Sequence, residues 1–84
     1  MNVEEIQNFL DKHELPKGKY LKIQFKKRDA IYGLFVKDRD YNDLKSKNFW
    51  RIVTATHFEE YNKSNNINLA KIFSGSEFAK LSVV

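Results

Sequence analysis

Val3, Ile6, Phe9, Leu10 and His13 recur at the spacing of one helix face, while Glu4, Glu5, Gln7, Asn8, Asp11 and Lys12 fill the other. The pattern predicts a short amphipathic helix within residues 1–15. Asn2 and Glu5 stand three apart, as in a capping box where each side chain satisfies an orphan backbone N–H, so the helix should begin near residue 3. Pro16 disfavours helical geometry at Leu15, and Gly18 supplies a turn. Three turns alone in water are marginal, so this apolar stripe must pack on the rest of the chain.

From Tyr20 the period becomes two. Leu21, Ile23 and Phe25 point one way and Lys22, Gln24 and Lys26 the other, which predicts a half-buried strand. Lys27-Arg28-Asp29 reads as a tight turn, and Ala30 to Lys37 as a second strand. Gly33 in its middle marks either bending with close backbone approach or the approach of a ligand. Asp38 to Asn48 is polar and turn-rich, an expected loop. Phe49 to Tyr61 alternates as one long strand with a bend near Thr56 to Phe58. Asn62 to Asn66 reads as a turn, Ile67 to Phe73 as a fourth strand, Ser74-Gly75-Ser76 as a tight connection and Phe78 to Val84 as a fifth strand.

These elements predict a single domain over residues 1–84, mainly β with one N-terminal helix. A flat sheet this small leaves one apolar face wet, so residues 19–84 are expected to form a small, strongly bent, five-stranded antiparallel barrel with the helix as its lid. Seven Phe, four Tyr and one Trp in 84 residues make an aromatic-rich core, with Phe25, Phe35, Phe73 and Phe78 expected inside. The absence of cysteine excludes disulfides, thiolate catalysis and cysteine-bound zinc from this chain. No signal-peptide pattern or membrane-length apolar run is found, so a cytoplasmic location is the expectation.

The net charge of +4 is unevenly spread. Lys17, Lys19, Lys22, Lys26, Lys27 and Arg28 follow one another without an intervening acid, whereas the first fifteen residues set Glu4, Glu5, Asp11 and Glu14 against Lys12 alone. Such a segment either meets a polyanion or is simply a solvated face.

With Gly33, Asp38-Arg39-Asp40-Tyr41-Asn42 and Ala70 to Val83 in view, the layout resembles the Sm-like family of small barrels, closely related in shape to SH3-like ones. Gly33 matches the glycine of that family's second strand, Asp38 and Asn42 its Asp-x-x-x-Asn loop, and Ser74-Gly75 its Arg-Gly position, with Ser74 standing where the base-contacting arginine is usual. The resemblance implies uridine-type RNA binding through Asp38, Tyr41, Asn42 and Gly75, with Tyr41 stacking on a base. It also implies strand edges that join subunits, so a homo-oligomer is expected unless the two edges close on each other.

Independently of that resemblance, Lys22, Lys26, Lys27 and Arg28 offer a phosphate surface to which Tyr20, Tyr32, Tyr41 or Trp50 adds stacking wherever exposed. His13 and His57 are far apart and lack further ligands, and no glycine-rich phosphate loop or nucleophile motif is found. The sequence therefore predicts a non-enzymatic RNA-binding module without a cofactor. Its alternative is a protein-interaction or oligomeric scaffold module that uses exposed edges.

Overall fold

The computed structural model of the chain describes residues 1–13 and 20–84. The expected Pro16 stop and Gly18 turn, and the basic residues Lys17 and Lys19, lie outside the described residues.

Helix α1 (Val3–Lys12) starts where the capping box places it: Asn2 Oδ1 accepts from the Glu5 N–H at 2.8 Å, and Glu5 Oε1 from the Asn2 N–H at 3.0 Å. Its apolar stripe buries Ile6 completely, with Val3, Phe9 and Leu10 packed around the same core.

Five strands follow: β1 (Leu21–Phe25), β2 (Ile31–Phe35), β3 (Phe49–Thr54), β4 (Lys71–Ser74) and β5 (Phe78–Val83). They form one antiparallel sheet in the order β4-β3-β2-β1-β5. Strands β4 and β5 are its two edges and do not pair, so the sheet is open. Gly33 serves close approach: a Cβ there would lie 2.5 Å from Ile52 Cγ2 and 3.3 Å from the Val53 carbonyl oxygen.

Two stretches differ from their sequence patterns. The Asp38–Asn48 segment is not an open loop, because Tyr41–Ser46 forms helix α2. Tyr41 and Leu44, three apart, are its half-buried apolar residues, and Asn48 takes the left-handed conformation (φ 61°) just beyond its end. The expected strand Phe49–Tyr61 stops at Thr54. A 3-10 turn at Ala55–His57 leads into helix α3 (Phe58–Ser64). Glu59 and Glu60 in its first turn and Lys63 in its last suit the helix dipole, and Asn65 (φ 53°) ends it, so Asn62–Ser64 are helix rather than turn. The fourth strand is correspondingly short, with a 3-10 turn at Ile67–Leu69 before it. The expected tight connection after β4 is a 3-10 turn at Gly75–Glu77.

The inner face of the sheet meets α1. Ile6, Ile23, Phe25, Trp50, Ile52, Phe78 and Leu81 form one buried cluster. Phe35 and Phe73, expected inside, are half-buried against it. Aromatic rings run through this core as a chain of neighbours: Tyr41–Trp50 at 6.0 Å, Trp50–Phe35 at 5.9 Å, Phe35–Phe78 at 6.3 Å, Phe78–Phe25 at 5.5 Å and Phe25–Phe73 at 6.0 Å. Tilted and edge-to-face pairs of this kind add roughly 0.5–1.5 kcal/mol each beyond the area they bury. No described helix is long and apolar enough to cross a membrane.

Candidate nucleic-acid interface

Side chains alternate across the sheet, so the residues between the core positions define its outer face. Lys22 stands directly opposite Tyr32 on β2 and Ser82 on β5, and Gln24 opposite Lys80. Tyr32, Lys22, Gln24, Lys80 and Ser82 therefore share one patch. Tyr32 is 42% exposed. Its ring meets Tyr20 edge-on at 6.2 Å, and Tyr20 in turn meets Phe58 at 5.3 Å. Phe58 is buried at the start of α3, as is Val53 on β3. Helix α3 thus covers the β3 side of the outer face and braces Tyr20, while the β1 and β5 side carries the lysines.

Lys80 reaches this patch through an irregularity. From Phe25 to Gln24 the β1 strand moves one residue, but their partners on β5, Phe78 and Lys80, are two apart, so Ala79 is a bulge residue. Simple alternation from the buried Phe78 would turn Lys80 inward. The bulge turns it outward and buries Leu81 instead.

Lys26, Lys27 and Arg28 follow β1 directly and are exposed. The Lys26 N–H donates to the Glu77 carbonyl oxygen at 3.0 Å, which ties this turn to the connection between β4 and β5. Between them lies a cleft of about 480 Å³ lined by Phe25, Lys26, Lys27, Arg28, Ser76 and Glu77. Among the described residues the ion pair is Arg51 with Asp40, so none of Lys22, Lys26, Lys27, Arg28 and Lys80 is neutralised by a partner acid.

The residues implied by the family resemblance are placed differently. Asp38 is exposed, and its carbonyl accepts the Tyr41 N–H at 3.0 Å. The Tyr41 hydroxyl donates to Gln7 Oε1 at 2.9 Å, its ring leans on Trp50, and the Lys37 ammonium sits 5.2 Å from the ring centre. Burial, reinforced by the nearby Asp11 carboxylate, raises its phenol above the usual 10.0. Asn42 is exposed on α2, in a shallow depression with Val3, Glu4, Lys45 and Ser46. Gly75 is buried, with the Asn48 side chain and Ile6 where its Cβ would project. Tyr41 and Asn42 thus flank α1, whereas Lys26, Lys27 and Arg28 lie beside Ser76 and Glu77.

Comparison with models of protein families, with curated proteins and with solved structures finds no match to this chain. The geometry alone orders the candidates. Trp50, named as a possible stacking residue, is only 1% exposed and belongs to the core. Among the described residues, Tyr32 is the tyrosine that lies among lysines without an ion-pair partner. Lys80 and Ser82 are additions that the alternation rule hides.

Proposed function

We propose that this chain is a non-enzymatic binding module for single-stranded nucleic acid, RNA in the first instance. The observation that carries the proposal is the joint placement of exposed Tyr32 with Lys22, Gln24 and Lys80 on one sheet face, continuous with Lys26, Lys27 and Arg28. Unpaired cations supply affinity for phosphates, and an exposed ring braced by another supplies a base-stacking surface. Tyr41 is a weaker candidate, since its ring and hydroxyl are already engaged within the protein.

The finer Sm-like or SH3-like barrel reading belongs to the same proposal. Strands β1 and β4 are three positions apart, about 14 Å in a flat sheet, yet the Phe25 and Phe73 rings approach to 6.0 Å. That approach supports a sheet curled toward closure.

Filter binding to single-stranded poly-uridine and to mixed-sequence RNA tests the function. Micromolar affinity for the folded chain is expected, weakened about tenfold by Tyr32→Ala, on the scale of one lost stacking contact. No binding by the wild type at low salt would end the proposal.

A second reading, an oligomeric or protein-interaction module, is favoured by exposed apolar residues on the edge strands: Ile72 on β4 is 52% exposed and Val83 on β5 is 49% exposed. Light scattering across a concentration series tests it. A mass fixed at one chain removes the self-association form of this reading.

A further inference from the structure

Lys22 and Gln24 occupy alternate positions along β1, Lys26 follows its end directly, and Lys26 also lines the cleft beside the β1–β2 connection. Four residues of strand span about 13 Å, so the lysine row leads from the outer face to the cleft mouth. Its volume of about 480 Å³ suits one small ligand. Phe25 supplies an apolar wall, and the Arg28 guanidinium lies over that ring at 4.7 Å from its centre. A guanidinium over a ring offers its outer side as a plane on which a nucleobase stacks. Lys26 and Lys27 bring two ammonium groups, Ser76 a hydroxyl and Glu77 the one carboxylate of the lining.

Three cations against one acid leave an excess of two positive charges. An internal phosphodiester carries a single negative charge, whereas a terminal phosphate monoester carries about −1.5 to −2 at pH 7. We propose that this cleft takes a nucleotide bearing a terminal phosphate monoester, its base on the Arg28 plane and its phosphate between Lys26 and Lys27. The inference rests on the nucleic-acid reading and adds to it which part of a strand the cleft holds, namely a phosphorylated end. A free nucleoside monophosphate has the same chemistry.

Fluorescence anisotropy with single-stranded RNA ten nucleotides long distinguishes these cases. One set carries a 5′-phosphate, a second a 3′-phosphate and a third hydroxyls at both ends. One phosphorylated set should bind about tenfold more tightly than the hydroxyl-ended set, as expected for the added charge-assisted hydrogen bonds. In Arg28→Ala and Lys27→Ala that ratio should fall toward one, and in Glu77→Gln it should rise. Titration with uridine monophosphate, read on the amide resonances of Lys26 to Arg28, separates the sources. Affinity equal to that of the phosphorylated strand assigns the site to free nucleotides, and much weaker affinity assigns it to strand ends. Equal binding of all three strand sets, with no response to the monophosphate, overturns the cleft assignment and leaves the outer-face reading standing. Failure of every strand and of the monophosphate to bind removes both.

Discussion

Asn48 ties the start of β3 to the N-terminus and to the turn after β4. Its Nδ2 donates to the Met1 carbonyl oxygen at 3.0 Å, its Oδ1 accepts from Trp50 Nε1 at 2.8 Å, and its own carbonyl accepts the Gly75 N–H at 2.8 Å. Its backbone is left-handed, a conformation that asparagine tolerates better than alanine. Asn48→Ala should therefore cost about 2–4 kcal/mol, combining backbone strain with an unsatisfied indole N–H. Asn48→Gly keeps the backbone and should cost less, so the order of the two urea midpoints tests both parts of the reasoning. Gly75→Ala forces a methyl group against the Asn48 side chain and Ile6, and about 1–3 kcal/mol of overpacking is expected. Tyr41 gives a pH-dependent counterpart. Its phenol is raised by burial and by Asp11, so the folded chain holds that proton more tightly than the unfolded chain does. The resulting stabilisation is complete below the unfolded value near 10.0 and is lost as pH rises through the folded value. The stability gap between wild type and Tyr41→Phe should consequently hold steady at neutral pH and shrink only as pH rises above about 10. A constant gap would show that the phenol titrates alike in both states.

At the scale of elements, strong local chemistry and sequence pattern agree in some places and part company in others. Helix α1 was legible because capping and amphipathic spacing coincide, and Asn2→Ala should cost about 1 kcal/mol by thermal unfolding. Strand β1 was legible from its two-residue alternation and β2 from its nearly unbroken apolar run, while the expected tight turn at Lys27-Arg28-Asp29 is a looser five-residue connection, 26–30. Helix α3 was hidden because β-branched Val53, Thr54 and Thr56 carry a strand-like alternation up to its start. Its own signals were Glu59 and Glu60 before Lys63, the spacing of Phe58 and Tyr61, and Asn65 beyond the end. Helix α2 was hidden by shortness: six residues with two apolar positions look like a loop, and tertiary packing on β3 makes up what propensity lacks. Lys22 and the Lys26–Arg28 turn could be placed at the surface from sequence, but Lys80 could not, because one bulge residue reverses the alternation after Phe78. Phe58 links element to site. Phe58→Ala should destabilise by about 3–5 kcal/mol through the cavity it leaves. It should also speed exchange of the Tyr20 and Tyr32 ring environments in NMR spectra, since Tyr20 leans on Phe58. Unchanged tyrosine resonances in a folded variant would mean that α3 does not brace the outer face.

For the whole molecule, the proposed binding function depends on how charge is distributed rather than on its net value. A net charge of +4 spread evenly gives a soluble surface and little more. Here Lys22, Lys80, Lys26, Lys27 and Arg28 gather along β1, β5 and the following turn, and none is paired with an acid among the described residues. That grouping makes a quantitative demand. Each phosphate contact on a single strand contributes a slope of about −0.7 to log affinity against log salt, so all five cations engaged would give about −3.5. Replacing Lys22 and Lys80 together by alanine should weaken binding and lower the slope by about 1.4. Replacing Lys45 and Lys63, which lie on α2 and α3, should leave the slope unchanged. Diffuse attraction to a basic protein would instead make both double variants lose affinity and slope by similar amounts. The comparison thus separates an organised face from a merely solvated one without requiring any knowledge of the preferred nucleotide sequence.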